Sequence, residues 1–231
     1  MVVYGRNPVI ELLRGSRTAK EIWAVRELAS EEWLAKASCP VTIVDRGEIS
    51  ERCGVDSHQG VCALTDPFVY SDADSLLAQL SPLIVVLDHI EDPQNVGAIC
   101  RTAEVTGATG VVIAKDRAAQ VTAAVCRSSA GAVEHLPVAR VTNISEFLLR
   151  AKKHEAWVYG AAAGKGAINY RDPDYSGTVV LVIGAEGRGI SKRVAGECDV
   201  LIELPVRGKI DSLNAAAATA ALLYEITSQR V

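Results

Sequence analysis

Residues 200–220, VLIELPVRGKIDSLNAAAATA, decide how the C-terminal part of this 231-residue chain folds. The apolar start favours a strand, the loop that follows contains proline and glycine, and the alanine-rich run is a strong helix former. Asp211 or Ser212 would be a good N-cap for that helix. Asn214 would then lie in the first turn, where asparagine is a mediocre helix residue, so the local pattern leaves its presence unexplained.

Upstream of this stretch, strand and helix patterns alternate regularly from residue 83 onward. LIVVLD (83–88) is an apolar run that ends in an acid, as a buried parallel strand does. A helical segment follows, with Asp92 as its N-cap and Pro93 at its first position. Further strand patterns occur at 110–114, 178–184 and 200–205 and in HLPVARV and AWVYGAA, with helix patterns at about 117–129, at 145–153 and near GISKRVA. This alternation predicts an α/β fold with a parallel sheet covered by helices on both faces.

The first 65 residues have the pattern of a smaller α/β unit with a modest core of its own. NPVIELLRG has helical spacing and ends in Gly15, a C-cap signal. EIWAV, VTIVD and VCALT are typical of strands, and EEWLAKA of a helix. Residues 66–82, with proline near each end, are typical of a linker with at most one short helix. We therefore predict domains at 1–65 and 83–231.

Composition narrows the class of protein. The formal net charge of −4 argues against a surface that binds nucleic acid all over, although it allows a local basic patch. No apolar run reaches the roughly 20 residues that span a bilayer, and no signal-peptide pattern opens the chain, so a cytoplasmic protein without a membrane partner is expected. The six cysteines form no CxxC pair and are expected to be free thiols, while the four histidines are scattered singly. No metal site is predicted.

Three segments place polar residues or glycines at the carboxyl ends of predicted parallel strands, where ligands gather in such sheets. Asn95 and Arg101 follow the first strand, Glu186 lies among three glycines in LVIGAEGRGISKR (181–193), and Asn214 opens the last helix. Taken singly, each has an ordinary interpretation as a solvent-facing side chain or a helix cap. The glycine order at 184–189 is the reverse of the dinucleotide fingerprint, so a nicotinamide-dependent enzyme is a weak alternative.

Together and in this order, the three segments resemble the signature motifs of the SpoU/TrmH (SPOUT) family of RNA ribose 2′-O-methyltransferases over residues 83–231. YGRNPVIELLRG and DSHQGVCA (56–63) resemble the small RNA-binding domain of RlmB-type 23S rRNA guanosine methyltransferases. The resemblance implies a parallel sheet whose C-terminal part forms a trefoil knot. It also implies S-adenosylmethionine bound in the knot and a homodimer that completes the active site.

Motif position assigns site residues within this resemblance. The implied cofactor contacts are Gly184, Leu204 and Leu213, and the implied catalytic residues are Arg101, Asn95, Glu186, Ser212 and Asn214. In this interpretation Ser212 and Asn214 cap the last helix and face the reaction site, which explains the asparagine at position 214. The family's matching arginine, here Arg101, is proposed to take the proton of the 2′-hydroxyl. Since a guanidinium is effectively always protonated, binding of the adjacent phosphate by Arg101, with phosphate or water taking the proton, stays open.

Basic residues supply the expected RNA contacts. Arg188, Arg207 and Lys209 could form a local positive patch, and Val206 stands where the family usually carries methionine. The small domain would use Arg6, Arg14 and the turn at 58–60, in which His58 itself is interpreted as structural. The predicted activity is methyl transfer from S-adenosylmethionine to a ribose 2′-hydroxyl, with a guanosine of 23S rRNA as the expected target. A tRNA target, an antibiotic-resistance site in rRNA, and a non-catalytic RNA-binding assembly factor are the alternatives.

Overall fold

A computed structural model describes residues 1–164, 166–210 and 212–230. Its N-terminal part contains a four-stranded sheet in the order β1-β4-β2-β3, in which β3 runs parallel to β2 and the other pairs are antiparallel. The strands are β1 (Val2–Tyr4), β2 (Ala19–Ala24), β3 (Val41–Ile43) and β4 (Val61–Thr65). The helices are α1 (Arg6–Arg14), α2 (Glu32–Ala35) and α3 (Arg46–Cys53). The predicted end of α1 at Gly15 is confirmed, because the Gly15 amide donates to the Glu11 carbonyl at 2.8 Å.

Sequence reasoning missed α3, although its boundary signals are present. The Asp45 carboxylate accepts a 2.9 Å hydrogen bond from the Glu48 amide at the start of the helix. Gly54 ends it with a left-handed φ of 69°. An acidic N-cap and a glycine just past the last turn are the ordinary pair of helix boundaries, and they outweigh the poor apolar periodicity between them.

The second part is built on a seven-stranded sheet in the order β7-β6-β5-β10-β8-β11-β9, with every neighbouring pair parallel. Its strands are β5 (Leu83–Asp88), β6 (Gly110–Ala114), β7 (Val138–Val141), β8 (Trp157–Ala161), β9 (Ile168–Asn169), β10 (Val179–Gly184) and β11 (Val200–Glu203). The predicted α/β fold with a parallel sheet is confirmed. β8 lies between β10 and β11 in this order. After β11 the chain returns to β10 and α5, which the last helix contacts.

Helices cover both faces of this sheet. They are α4 (Ala73–Leu77), α5 (Pro93–Val105), α6 (Ala123–Ser128), α7 (Ile144–Lys153), α8 (Lys192–Ala195) and α9 (Ala215–Ser228). Along β5, Leu83, Val85 and Leu87 are buried in the layer that contains α5, α6 and α9, while alternate residues are buried in the layer that contains α4, α7 and α8. This alternation is the period-two consequence of strand geometry. α9 packs against α5. This contact brings the end of the chain back to α5, the helix that follows β5.

The helix predicted at about 117–129 is wrong over its first half, since α6 begins at Ala123. Arg117 has a left-handed φ of 52°, which a helix cannot contain. The Val121 amide donates to the Tyr70 hydroxyl at 2.9 Å instead of to a carbonyl one turn earlier. A tertiary contact therefore holds this segment outside the helix.

The two parts share one buried apolar cluster, so the prediction of a separate core for the first 65 residues is wrong. Val9 and Leu12 of α1 belong to the same cluster as Val96 and Ile99 of α5. The domain boundaries at 65 and 83 stay predictions. Among the described residues, no helix combines the length and the apolar character needed to cross a membrane.

Candidate functional site

The carboxyl ends of β5 and β10 lie side by side, because Gly184 is paired with Asp88 in the parallel register. The loop after β10 folds back at once, and the Gly189 amide donates to the Ala185 carbonyl at 2.8 Å. A Cβ atom on Gly184 would lie 2.1 Å from the Gly189 carbonyl carbon. Only glycine fits there, and the loop therefore presents Glu186 at its tip above the end of the sheet.

The N-cap of α9 is Asn214, as the family resemblance implied, whereas Ser212 is not the cap residue. Asn214 Oδ1 accepts hydrogen bonds from the amides of Ala216 at 3.0 Å and Ala217 at 3.3 Å. Asp211 lies outside the described residues. Asn214 thus precedes the first turn, where its side chain stabilises the helix, and its Nδ2 remains available for contacts with the rest of the site.

Asn95, Glu186 and Asn214 form one hydrogen-bonded group, which we name the amide–carboxylate cluster. Asn95 Nδ2 donates to Glu186 Oε1 at 2.8 Å, and Asn214 Nδ2 donates to the same oxygen at 2.5 Å. Asn214 Nδ2 also lies 2.9 Å from Asn95 Oδ1. The three segments that sequence reasoning singled out therefore converge at one place.

A cavity of about 530 Å³ lies on the sheet side of this cluster. Its walls come from the ends of β8, β10 and β11 and from the start of α9, and they include the predicted residues Gly184, Leu204 and Leu213, together with Val206 and Ser212. The volume suits a drug-sized ligand, and the lining combines apolar side chains with backbone groups. Sequence reasoning missed the wall formed by 161–163, although three small residues directly after a strand are a signal for close ligand approach.

A second cavity, of about 290 Å³, opens beside the first. His89, Glu91, Asp92 and Asn95 line it, and Glu186 lines both cavities. Arg188, Ala185 and Ala215 also contact both. The Glu186 carboxylate therefore lies where two bound molecules, one in each cavity, would meet.

Arg101 lies on the same helix as Asn95 but outside the cluster. Six residues of α-helix cover roughly 9 Å along the axis. The Arg101 side chain is exposed, and the described residues offer it no hydrogen bond or ion pair and do not place it in either cavity wall. Within one protomer it is therefore apart from the cluster, and its catalytic role stays a prediction.

All the predicted RNA-binding cations are exposed, whereas His58 is buried. Arg188, Arg207 and Lys209 are exposed, and Arg188 lines both cavities. In the N-terminal part, Arg6 is ion-paired with Glu31, and Arg14 with Glu11. The His58 ring is buried; its Nδ1 accepts from the Gly60 amide at 3.0 Å, and burial lowers the pKa of the ring. The structural interpretation of His58 is confirmed.

The cysteines are free thiols, three of them buried. Burial raises the pKa of Cys100 and of Cys126 to about 12, so both thiols stay protonated. Across residues 1–164, 166–210 and 212–230, no group of three or more histidine, cysteine, aspartate or glutamate side chains could hold a metal ion.

Family models match both parts of the chain. Residues 82–224 match the SpoU rRNA Methylase family. Residues 2–71 match the model described as RNA 2′-O ribose methyltransferase substrate binding. The first match includes all strands of the seven-stranded sheet, and the second includes all strands of the four-stranded sheet.

Individual proteins match over almost the whole chain. A Bacillus subtilis protein assigned to the TrmH family of tRNA/rRNA methyltransferases is 38% identical, with 99% of this chain and 95% of the relative covered. A Staphylococcus haemolyticus protein with the same assignment is 36% identical, with 100% of this chain and 96% of the relative covered.

Solved structures match in fold. The SpoU methyltransferase AviRb of Streptomyces viridochromogenes, in complex with AdoMet, superposes with a TM-score of 0.83 at 25% identity, over 99% of this chain and 89% of that one. The AdoMet-bound rRNA methyltransferase of Sinorhizobium meliloti superposes with a TM-score of 0.82 at 28% identity, over 100% of this chain and 87% of that one.

Proposed function

Because the chain belongs to the SpoU rRNA methylase family, we propose that it methylates the ribose 2′-hydroxyl of a guanosine in 23S rRNA and does so as a homodimer. The broader activity follows from membership itself: the protein is an S-adenosylmethionine-dependent RNA ribose 2′-O-methyltransferase of the TrmH type with a substrate-binding domain. The family fold is the knotted SPOUT fold. The observation that carries the site assignment is the amide–carboxylate cluster, which lies between two adjoining cavities.

The larger cavity fits S-adenosylmethionine. Its volume of about 530 Å³ is in the range of nucleoside-sized ligands, and Leu204 and Leu213 supply apolar walls. A side chain at Gly184 would clash with the backbone of the returning loop at Gly189, so glycine at this position allows the loop that lines the cavity to fold back over the end of β10. When bound, this cofactor supplies an electrophilic methyl group on a sulfonium sulfur.

The chain's own residues orient the reacting groups. Glu186 Oε1 is fixed by two side-chain amides and the Ala215 backbone amide, and this leaves little reorganisation to be done during the reaction. Asn95 and Asn214 hold that carboxylate, and Ser212 lies in the wall of the larger cavity beside them. We assign the smaller cavity, which Asn95 also lines, to the target nucleotide.

Exposed cations near the site in sequence could bind the RNA despite the net charge of −4. Arg188 lines both cavities, and the exposed Arg207 and Lys209 follow Val206 of the larger cavity wall. A few well-placed cations give most of the affinity for a phosphate backbone. We assign Arg101 to a phosphate of the target nucleotide, which it would reach from the second protomer. A bidentate guanidinium–phosphate contact positions the sugar and requires no proton transfer to arginine.

The choice of 23S rRNA guanosine rests on the N-terminal motifs at 4–15 and 56–63. The curated relatives carry tRNA and rRNA together in their names, so tRNA is the alternative target. Incubation of the protein with labelled S-adenosylmethionine and total RNA from a strain that lacks it tests the assignment, with the modified position mapped by 2′-O-methyl sequencing. Label at one 23S guanosine is expected. Label in tRNA alone would overturn the rRNA assignment, and cofactor binding without any methylation would favour the assembly factor.

A further inference from the structure

His89 and Asp88 form a hydrogen-bonded dyad at the end of β5. His89 Nδ1 lies 2.6 Å from Asp88 Oδ1, and the Asp88 side chain is only 1% exposed. The other carboxylate oxygen accepts a 2.7 Å hydrogen bond from the Ser191 amide. Both oxygens of a buried acid are thus engaged, which satisfies the requirement that a buried charge be hydrogen-bonded.

This arrangement fixes the tautomer of the imidazole. A carboxylate is acceptor-only, so the hydrogen in the short contact belongs to His89 Nδ1. In the neutral ring Nε2 then carries a lone pair, on the edge of the ring that points away from Asp88. The side chain is 38% exposed and lines the smaller cavity, and Nε2 has no hydrogen-bond partner among the described residues.

The backbone at His89 is held in an unusual conformation. Its φ is +59°, in the left-handed region that non-glycine residues seldom occupy. Such a conformation costs on the order of 1 kcal/mol or more and persists only where surrounding contacts enforce it, most often at functional sites. In this conformation the ring is hydrogen-bonded to Asp88 and lines the smaller cavity.

The other titratable groups around this cavity are poorer proton acceptors. Glu91, Asp92 and Glu186 are carboxylates, which are weaker bases than imidazole. Asp92 already caps α5, with Oδ1 accepting from the Gln94 amide at 2.9 Å, and Glu186 Oε1 already accepts from three amides. Arg188 is a cation and cannot act as a base.

We propose that His89 Nε2 accepts the proton of the target 2′-hydroxyl, an inference that rests on the proposed function. The 2′-oxygen bonds to the methyl carbon as the carbon–sulfur bond breaks and its electron pair returns to sulfur. The hydroxyl proton passes to Nε2, the Asp88 carboxylate stabilises the resulting imidazolium, and the ring then releases the proton to water. Only the neutral ring can accept this proton, because a doubly protonated imidazole has no free lone pair.

The tautomer can be measured without any RNA. Long-range proton–nitrogen NMR of the imidazole rings, with His89→Asn used for assignment, should show the Nδ1–H form for His89 in the protein with or without cofactor. A predominant Nε2–H form would leave no lone pair facing the cavity and would overturn the inference, whatever the protein's activity.

The kinetic test uses two substitutions whose residues can adopt the left-handed backbone conformation at position 89. Asparagine and glycine both accept a left-handed φ, and an asparagine amide can still donate to Asp88. His89→Asn should lower kcat by roughly 100-fold or more and remove the acid limb of its pH profile, with cofactor affinity by calorimetry unchanged. His89→Gly should regain activity when free imidazole is added, which a merely structural role does not predict.

His154→Asn is the matched control, because His154 is exposed at the end of α7. It should behave as wild type. A kcat within threefold of wild type in His89→Asn, or a rise in KM at unchanged kcat, would overturn the inference. If the wild type methylates no RNA, the proposed function fails, while the tautomer measurement still decides the geometry of His89.

Discussion

Asn95 and Glu186 are 91 positions apart in the chain, yet Asn95 Nδ2 donates a 2.8 Å hydrogen bond to Glu186 Oε1. Asn214, 28 positions further on, donates to the same oxygen. The helix after β5, the loop after β10 and the start of α9 are therefore joined through one carboxylate. Any change that moves one of the three segments alters the orientation of the other two.

Loss of either amide should affect stability and activity together. Asn214→Ala removes a helix cap and should lower the free energy of unfolding by about 1 kcal/mol. Asn95→Ala removes one donor from Glu186, and the double variant should show a coupling energy of at least about 0.5 kcal/mol, because both residues contact the same oxygen. Urea denaturation measures both values, and kcat should fall in each variant.

Asn143→Ala is the matched control for this cycle. Asn143 caps α7, accepting from the Glu146 amide at 3.3 Å, and it lies outside the cluster. Its loss should cost a similar free energy without changing kcat. Strict additivity of the Asn95 and Asn214 changes would contradict a shared contact.

Much of this site could be predicted because its boundary signals are local. Asp92 and Pro93 open α5 as predicted, since N-cap and first-turn preferences depend on neighbouring residues alone. The local pattern alone places Asn214 in the first turn, because the alanine run does not show where the preceding loop ends, and only the family motif indicates its role as a cap. His89 left no sequence signal, since its tautomer depends on the burial of Asp88 and on a left-handed φ. The two-residue strand Ile168–Asn169 was missed because so short a run has no periodicity.

Gly184→Ala should weaken cofactor binding with a modest loss of stability. The new Cβ would lie 2.1 Å from backbone carbon of Gly189, so the loop must move away from the end of β10. Overpacking of this kind costs about 1–3 kcal/mol. Calorimetry with S-adenosylmethionine should show at least a tenfold weaker Kd. Gly196→Ala is the control, because φ there is −65° and the nearest atom to a new Cβ is 3.4 Å away; a normal Kd for both variants would contradict the prediction.

Arg101→Ala should remove activity but not stability. Its side chain makes no hydrogen bond in the described part of the chain, so Tm and cofactor Kd should match wild type while kcat falls roughly 100-fold or more. Lys153→Ala, another exposed cation, should leave all three values unchanged.

Mixing Arg101→Ala with Glu186→Ala tests whether the arginine acts across the dimer. About half of randomly mixed dimers would each carry one intact site, so about one quarter of wild-type activity should return. Each variant alone should stay inactive. No recovery on mixing would place the arginine's action within its own protomer.

The ion pair between Arg17 and Glu134 should be the most sensitive contact between the two parts of the chain. Their side chains are 9% and 0% exposed, and Arg17 Nε lies 2.9 Å from Glu134 Oε2. Arg17→Met would leave a buried carboxylate without its cation, which typically costs 3–5 kcal/mol. Arg17→Met combined with Glu134→Gln should recover part of that loss, because the uncompensated charge is then gone.

The exposed ion pair of Lys36 and Glu32 is the control, since their side chains are 72% and 83% exposed. Lys36→Met should change the unfolding free energy by no more than about 0.5 kcal/mol. Equal losses at the two sites in urea denaturation would show that burial of the Arg17 pair contributes nothing.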